Sequence, residues 1–157
     1  MHVVSNQSTS SDCVRENCKK TNARRSHRKT WRISVEIVDK RVVVTGAASG
    51  IGKALAIEFK NEKAKDVILA DLNEEVLAVA EELGFSGFVV NVGKEEEVKD
   101  LIAFANEKMG GVDIFCSNAG IGGAVGLLDV TTDDWQTIWD VNFMAHAHAA
   151  KHLILRC

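Results

Sequence analysis

This chain of 157 residues contains no proline and no tyrosine. Without proline, the stops between elements fall to glycine and the short polar residues. Without tyrosine, no phenol is present to act as a general acid or base. No run of residues is long and apolar enough to cross a bilayer as a helix. Cysteine is scarce: Cys13, Cys18, Cys116 and Cys157 form neither a disulfide framework nor a paired Cys-x-x-Cys zinc spacing. That pattern points to a reducing, cytoplasmic setting and to no metal site.

The composition that remains is that of an ordinary globular domain, and the length fits one such domain. Charge is unevenly spread. Residues 1–34 carry a net +6 and the rest a net −9. The first 34 residues show neither a 2 nor a 3.6 period, so they are expected as a basic, disordered extension. The cluster Arg24 to Lys29 leaves an organelle address or a nucleic-acid contact open, but a solvated basic run is the simpler reading. Cys13, Cys18 and His27 match no standard zinc spacing.

The rest is organised around Val42-Val43-Val44-Thr45-Gly46-Ala47-Ala48-Ser49-Gly50-Ile51-Gly52. A β-branched run reads as a strand buried on both faces, and it empties into three glycines and then a helical pattern. Glycines let the backbone turn tightly, and the next helix offers unpaired N–H groups to an anion. Gly46, Ser49, Gly50, Ile51 and Gly52 are therefore candidate contacts for a pyrophosphate. The spacing Gly-x-x-x-Gly-x-Gly departs from the usual Gly-x-Gly-x-x-Gly, and a glycine-rich turn that binds nothing remains the alternative.

From Gly50 a helix is expected to Asn61 with Ile51, Leu55 and Phe59 as its buried stripe, and Lys53 solvated. Asp66–Asp71 repeats the short apolar run with an acid at its tip. Asp71 lies 19 positions after Gly52, where a dinucleotide fold places the acid that accepts the ribose hydroxyls. Its charge opposes a 2′-phosphate and Leu72 follows where a cation would be wanted, so NAD is favoured over NADP. The alternative is that Asp71 merely caps the helix Asn73–Leu83, whose buried side is Val76, Leu77, Ala80 and Leu83. A third strand, Ser86–Val90, ends at Asn91-Val92. There an amide either meets the adenine edge or makes a local turn bond.

Lys94–Lys108 is the clearest helix, with Val98, Leu101, Ile102, Ala105 and Met109 on one face, and Gly110-Gly111 stops it. A fourth strand, Val112–Cys116, runs into Ser117-Asn118-Ala119-Gly120, where small residues admit a nucleotide. Cys116 reads as a packed thiol. A last helix, capped by Thr131 or Thr132, puts Trp135, Ile138, Asn142, Ala145 and Ala149 on one face. An asparagine within that stripe is a site candidate, or else a satisfied core amide. His148 and His152 stand one turn apart but lack a third ligand nearby, so they read as surface residues rather than a metal pair.

Alternating strands and helices predict a doubly wound parallel α/β sheet of order 3-2-1-4, two helices on each face, with a crevice between the first and fourth strands. Thr45 to Gly52, Asp71, Ser117 to Gly120, and Trp135 through Asn142 resemble, in order and separation, the short-chain dehydrogenase/reductase family over roughly residues 35–157. The resemblance implies a Rossmann-type oxidoreductase that moves a hydride between a nicotinamide and an alcohol or carbonyl. It further implies pyrophosphate at the glycine turn, NAD selection by Asp71, adenosine support from Asn118, Ala119 and Gly120, and a catalytic proton-relay role for Asn142.

Two matches are loose: Asn91 stands where the family usually has Asp, and Ser117 where it often has Asn. The family's serine and Tyr-x-x-x-Lys have no counterpart among these residues. The chain by itself is thus expected to be the cofactor-binding half of such an enzyme, inactive alone. The alternative is a non-catalytic nucleotide-binding or subunit-interaction protein. The fourth strand is expected as a bare sheet edge that invites a homo- or hetero-oligomer.

Overall fold

The computed structural model describes residues 35–122 and 129–154. The extension expected at 1–34, its Arg24 to Lys29 cluster, the segment 123–128 and Cys157 lie outside the described residues. The order of elements is β1 (Arg41–Thr45), α1 (Gly50–Asn61), β2 (Asp66–Asp71), α2 (Glu75–Leu83), β3 (Ser86–Val89), α3 (Glu95–Met109) and β4 (Ile114–Cys116). There follow α4 (Thr132–Trp139), a π-helical turn (Asp140–Met144) and α5 (Ala145–Ile154). The strands form one parallel sheet in the order β3-β2-β1-β4, with Val43 opposite Ile68 on one side and Phe115 on the other.

Successive strand residues point to opposite faces, and each face is dry for its own reason. Val42, Val44, Val67 and Leu69 pack against Ala56 and Phe59 of α1 and against Val76, Val79 and Ala80 of α2. Val43, Ile68 and Ala70 face the other way, onto Val98, Leu101, Ile102, Ala105 and Met109 of α3 and onto Ala145 and Ala149 of α5. The doubly wound sheet with two helical segments on each face is as the pattern predicts. No helix among the described residues is long and apolar enough to cross a membrane.

Several details differ from the expectations. The buried stripe of α1 is Gly52, Ala56 and Phe59, and Ile51 is 73% exposed. The helix is turned because it must approach the glycine turn at Gly52, where a Cβ would lie 2.0 Å from the Gly46 carbonyl oxygen. On α2, Val79 is buried in place of Leu77, which is 48% exposed. The final helix is interrupted: a π-turn inserts an extra residue into the spiral, so the face read through 3.6 periodicity does not persist. Trp135 is consequently exposed, and only Ala145 and Ala149 of that segment are buried.

At the edge remote from the glycine turn, Arg41 ties β1 to the start of β4. Its guanidinium donates to both Asp113 carboxylate oxygens at 2.8 Å and to the Gly110 carbonyl at 2.7 Å. The backbone N–H of Arg41 adds a bond to Asp113 at 2.9 Å. The Asp113 carboxyl is held well below the usual range, first by the Arg41 side chain and then by that N–H.

Candidate functional site

The site begins with Thr45, which is 1% exposed at the end of β1. Its hydroxyl donates to the Cys116 carbonyl at 3.2 Å and accepts the N–H groups of Asn118 and Ala119 at 3.0 and 3.1 Å. The Asn118 carboxamide donates back to the carbonyls of Thr45 at 3.0 Å and Gly46 at 3.4 Å. The ends of β1 and β4 are thereby stitched together. Asn118 is turned inward as a brace, a role its position in the sequence does not reveal.

On that brace the chain turns at Gly46, where φ is +68° and a Cβ would stand 2.9 Å from the Ala119 Cα. Only glycine fits both the conformation and the space. Gly50 also has a positive φ, +54°, but open space lies in front of it. Ser49 caps α1 in an extended conformation without a side-chain bond to the helix. The first-turn N–H groups and the positive end of the helix dipole therefore border open space, which suits an anion.

Asp71 closes the β2 end. One carboxylate oxygen accepts the Ala48 N–H at 2.9 Å and the other the Asn73 N–H at 3.0 Å. Asn73 in turn accepts the N–H of Glu75, so Asp71 does take part in opening α2. A carboxylate offers about four acceptor sites, and two remain. Asn91 spends its carboxamide oxygen on the Gly93 N–H at 3.0 Å, and its own N–H goes to Glu97 at 2.7 Å. The local turn bond weighed for Asn91 is present, and it leaves the amide N–H₂ as the group for a ligand.

These parts enclose a cavity of about 400 Å³, within the range of small-ligand sites. Gly46, Ser49, Gly50, Ile51, Gly52, Asp71, Leu72, Asn91, Val92, Asn118, Ala119 and Gly120 all line it, joined by Val90, Ile121 and Val141. The sequence carries no signal for those last three beyond their adjoining Asn91, Gly120 and Asn142. Asn142 stands behind the wall. Its Oδ1 accepts the Ile121 N–H at 2.9 Å and its Nδ2 donates to the Ile121 carbonyl at 2.9 Å. It is an exposed residue of the π-turn, not an amide within a buried stripe, and its side chain is spent on holding Ile121.

Other chemistry-bearing groups lie off the cavity. Cys116 is half-buried in β4, and burial pushes its thiol up. His146 and the Ser117 hydroxyl share a hydrogen bond at 2.6 Å. His148 and His152, expected at the surface, are half-buried and converge on Glu95, whose carboxyl is held below its usual range by bonds from Lys151 and then His152. No cluster of three or more metal-binding side chains occurs among the described residues.

The sequence profile of the short chain dehydrogenase family matches residues 40–156. An uncharacterized oxidoreductase of Staphylococcus aureus is 40% identical over 119 residues, covering 73% of this chain and 51% of its own. The 1-deoxy-11-beta-hydroxypentalenate dehydrogenase of Streptomyces avermitilis is 38% identical over 122 residues, covering 73% and 45%. Among solved structures, a short chain dehydrogenase/reductase from Burkholderia phymatum in complex with NAD superposes with a TM-score of 0.73 at 28% identity, covering 78% of this chain and 45% of its own. A short-chain type dehydrogenase/reductase from Mycobacterium marinum gives 0.69 at 27%, covering 75% and 50%. The chain spans about half the length of the curated relatives it matches.

Proposed function

The chain belongs to the short chain dehydrogenase family, and on that premise we propose that residues 35–157 are the NAD-binding part of an oxidoreductase acting on a small alcohol or carbonyl. Residues 1–34 are an extension, and the setting is the cytoplasm. The observation that carries this reading is the convergence of the glycine turn, Asp71 and the Asn118-Ala119-Gly120 segment on one cavity. A bound nicotinamide supplies the carbon that gives or takes a hydride.

The residues divide the remaining work. N–H groups at Gly50, Ile51 and Gly52 bind the pyrophosphate, and the open side of Gly50 lets it come close. The free acceptor sites of Asp71 take the ribose hydroxyls, while its charge and the apolar Leu72 disfavour a 2′-phosphate. Val90 and Val92 flank the adenine, with the Asn91 N–H₂ as donor. Asn142 acts through Ile121 to set the wall on which the substrate end rests. No tyrosine is present to supply the proton, so these 157 residues alone bind the dinucleotide without turning over.

Calorimetric titration of the chain with NADH and NADPH tests the proposal. NADH should bind at least tenfold more tightly, and Asp71→Ala should erase the preference. Absence of binding by either nucleotide sinks the reading. Tight NADH binding together with a stable co-purifying full-length relative supports the second reading, a non-catalytic nucleotide-binding subunit.

A further inference from the structure

Through the π-turn, α4 and α5 form one continuous helical rod over residues 132–154. At the π-turn the rod builds one wall of the cavity, directly through Val141 and indirectly through Asn142 and its two bonds to Ile121. Another wall contains Asn91, whose backbone N–H is held by Glu97 in the first turn of α3. The same turn carries Glu95, which reaches α5. One of its carboxylate oxygens lies 2.6 Å from Lys151 Nζ and 3.0 Å from His152 Nε2, and the other lies 3.6 Å from His148 Nδ1. The start of α3 thus grips both walls, one through Glu97 and the other through Glu95 and the rod.

This junction is oversupplied with basic groups. An ionised carboxylate only accepts hydrogen bonds, so His152 Nε2 carries the hydrogen in its contact with Glu95. The Lys151 ammonium supplies the one positive charge that Glu95 balances. Charges beside the junction balance each other: Glu96 pairs with Lys99 at 2.7 Å and Glu97 with Lys94 at 2.9 Å. His146, the remaining histidine of α5, is engaged by Ser117 of β4 at 2.6 Å. An imidazole ordinarily takes up a proton near pH ~6.5. The first such proton is accommodated, because the Lys151 side chain is 57% exposed and is free to turn into water while an imidazolium takes its place on Glu95. A second is not. The side chains of His148 and His152 are only 13% and 14% exposed, so two imidazolium groups one helical turn apart would share a single carboxylate with little water to screen them.

We propose that Glu95, His148 and His152 form a pH-sensitive clasp between two walls of the cavity, closed while at most one imidazole is charged and opened when both are. The clasp rests on the nucleotide reading only for its effect on affinity, which falls when the walls part.

The full chain is compared at about pH 8 and about pH 5.5, where ordinary carboxylates stay ionised. Hydrogen exchange at the Ala149 amide, corrected for the intrinsic effect of pH, should accelerate at least tenfold on acidification, and the NADH dissociation constant should rise at least tenfold. His148→Gln and, separately, His152→Gln each remove one of the two protons, so both variants should keep Ala149 protected at the lower pH. The native comparison needs no substitution, so a variant that fails to fold leaves it intact. Exchange at Ala149 that ignores pH, or an acid-induced opening that persists in a folded glutamine variant, overturns the proposal. NADH affinity that holds at the lower pH while Ala149 opens overturns the link to the cavity. Absence of NADH binding already at pH 8 counts against the nucleotide reading instead, and exchange at Ala149 still decides the clasp.

Discussion

At the scale of single residues, the glycines of the turn separate into two kinds that the sequence writes identically. Gly52 is demanded by the fold, since a Cβ there would lie 2.0 Å from the Gly46 carbonyl oxygen. Gly52→Ala should cost roughly 3 kcal/mol of stability, at the upper end for overpacking, read as a fall in the urea midpoint. Gly50 has space around it and only a positive φ to excuse, so Gly50→Ala should cost about 1–2 kcal/mol and weaken nucleotide binding more than stability. Equal effects of the two substitutions on stability would contradict this division. Asp113 makes a prediction in pH. Its depressed carboxyl pKa contributes stability that is present above its unfolded value of about 3.9 and is lost as pH falls through the folded value. Asp113→Asn should therefore be less stable than the native chain at neutral pH, the difference shrinking on acidification, as chemical denaturation across pH would measure.

Among the elements, the π-turn has the largest consequences. Three consecutive residues of it have three tasks: Val141 lines the cavity, Asn142 clamps Ile121, and Phe143 stacks on Trp139. Successive helical residues are in any case spread by about 100°; what the extra residue of the π-turn changes is the phase between the faces of α4 and α5. The two-point bond from Asn142 also ties the loop after β4 to the rod. Asn142→Ala should remove about 1–2 kcal/mol of local stability and speed hydrogen exchange at the Ile121 amide, leaving exchange in β1 and β2 unchanged. Unaltered exchange at Ile121 would show that the clamp has no hold on the wall.

Across the whole molecule, β3 and β4 are the two edges of the sheet among the described residues, and the three residues of β4 are only half-buried. An edge of this kind presents unpaired backbone groups, and Trp135, Trp139 and Phe143 of the helical segments after it are exposed. The central strands β1 and β2 are closed by contrast, with Val42, Val43, Val44, Val67, Ile68 and Leu69 all at 0% exposure. Stability should then depend on what is bound. If NADH binds the folded chain alone, a concentration 100 times its dissociation constant should add about 2.7 kcal/mol to unfolding. A melting temperature indifferent to saturating NADH would argue against the cavity as its site.

Much of this was legible in the residues themselves. Apolar runs ending in Thr45 and Asp71 read as strands buried on both faces and the run ending in Cys116 as a fourth strand, and alternation with periodic helices left a parallel sheet as the economical arrangement. The twelve candidate cofactor contacts could be named for a local reason, because a parallel strand must deliver its C-terminal residues to one edge of the sheet. What sequence could not decide were the properties that depend on contact across the fold. The inward turn of Asn118 follows from the carbonyls of Thr45 and Gly46, 72 and more positions away. The rotation of α1 that exposes Ile51 follows from the carbonyl of Gly46. The pairing of Asn142 with Ile121, and of Glu95 with two histidines expected at the surface, needed helices brought together by a core. Periodicity reports which residues share a face, but only the tertiary structure decides what that face meets.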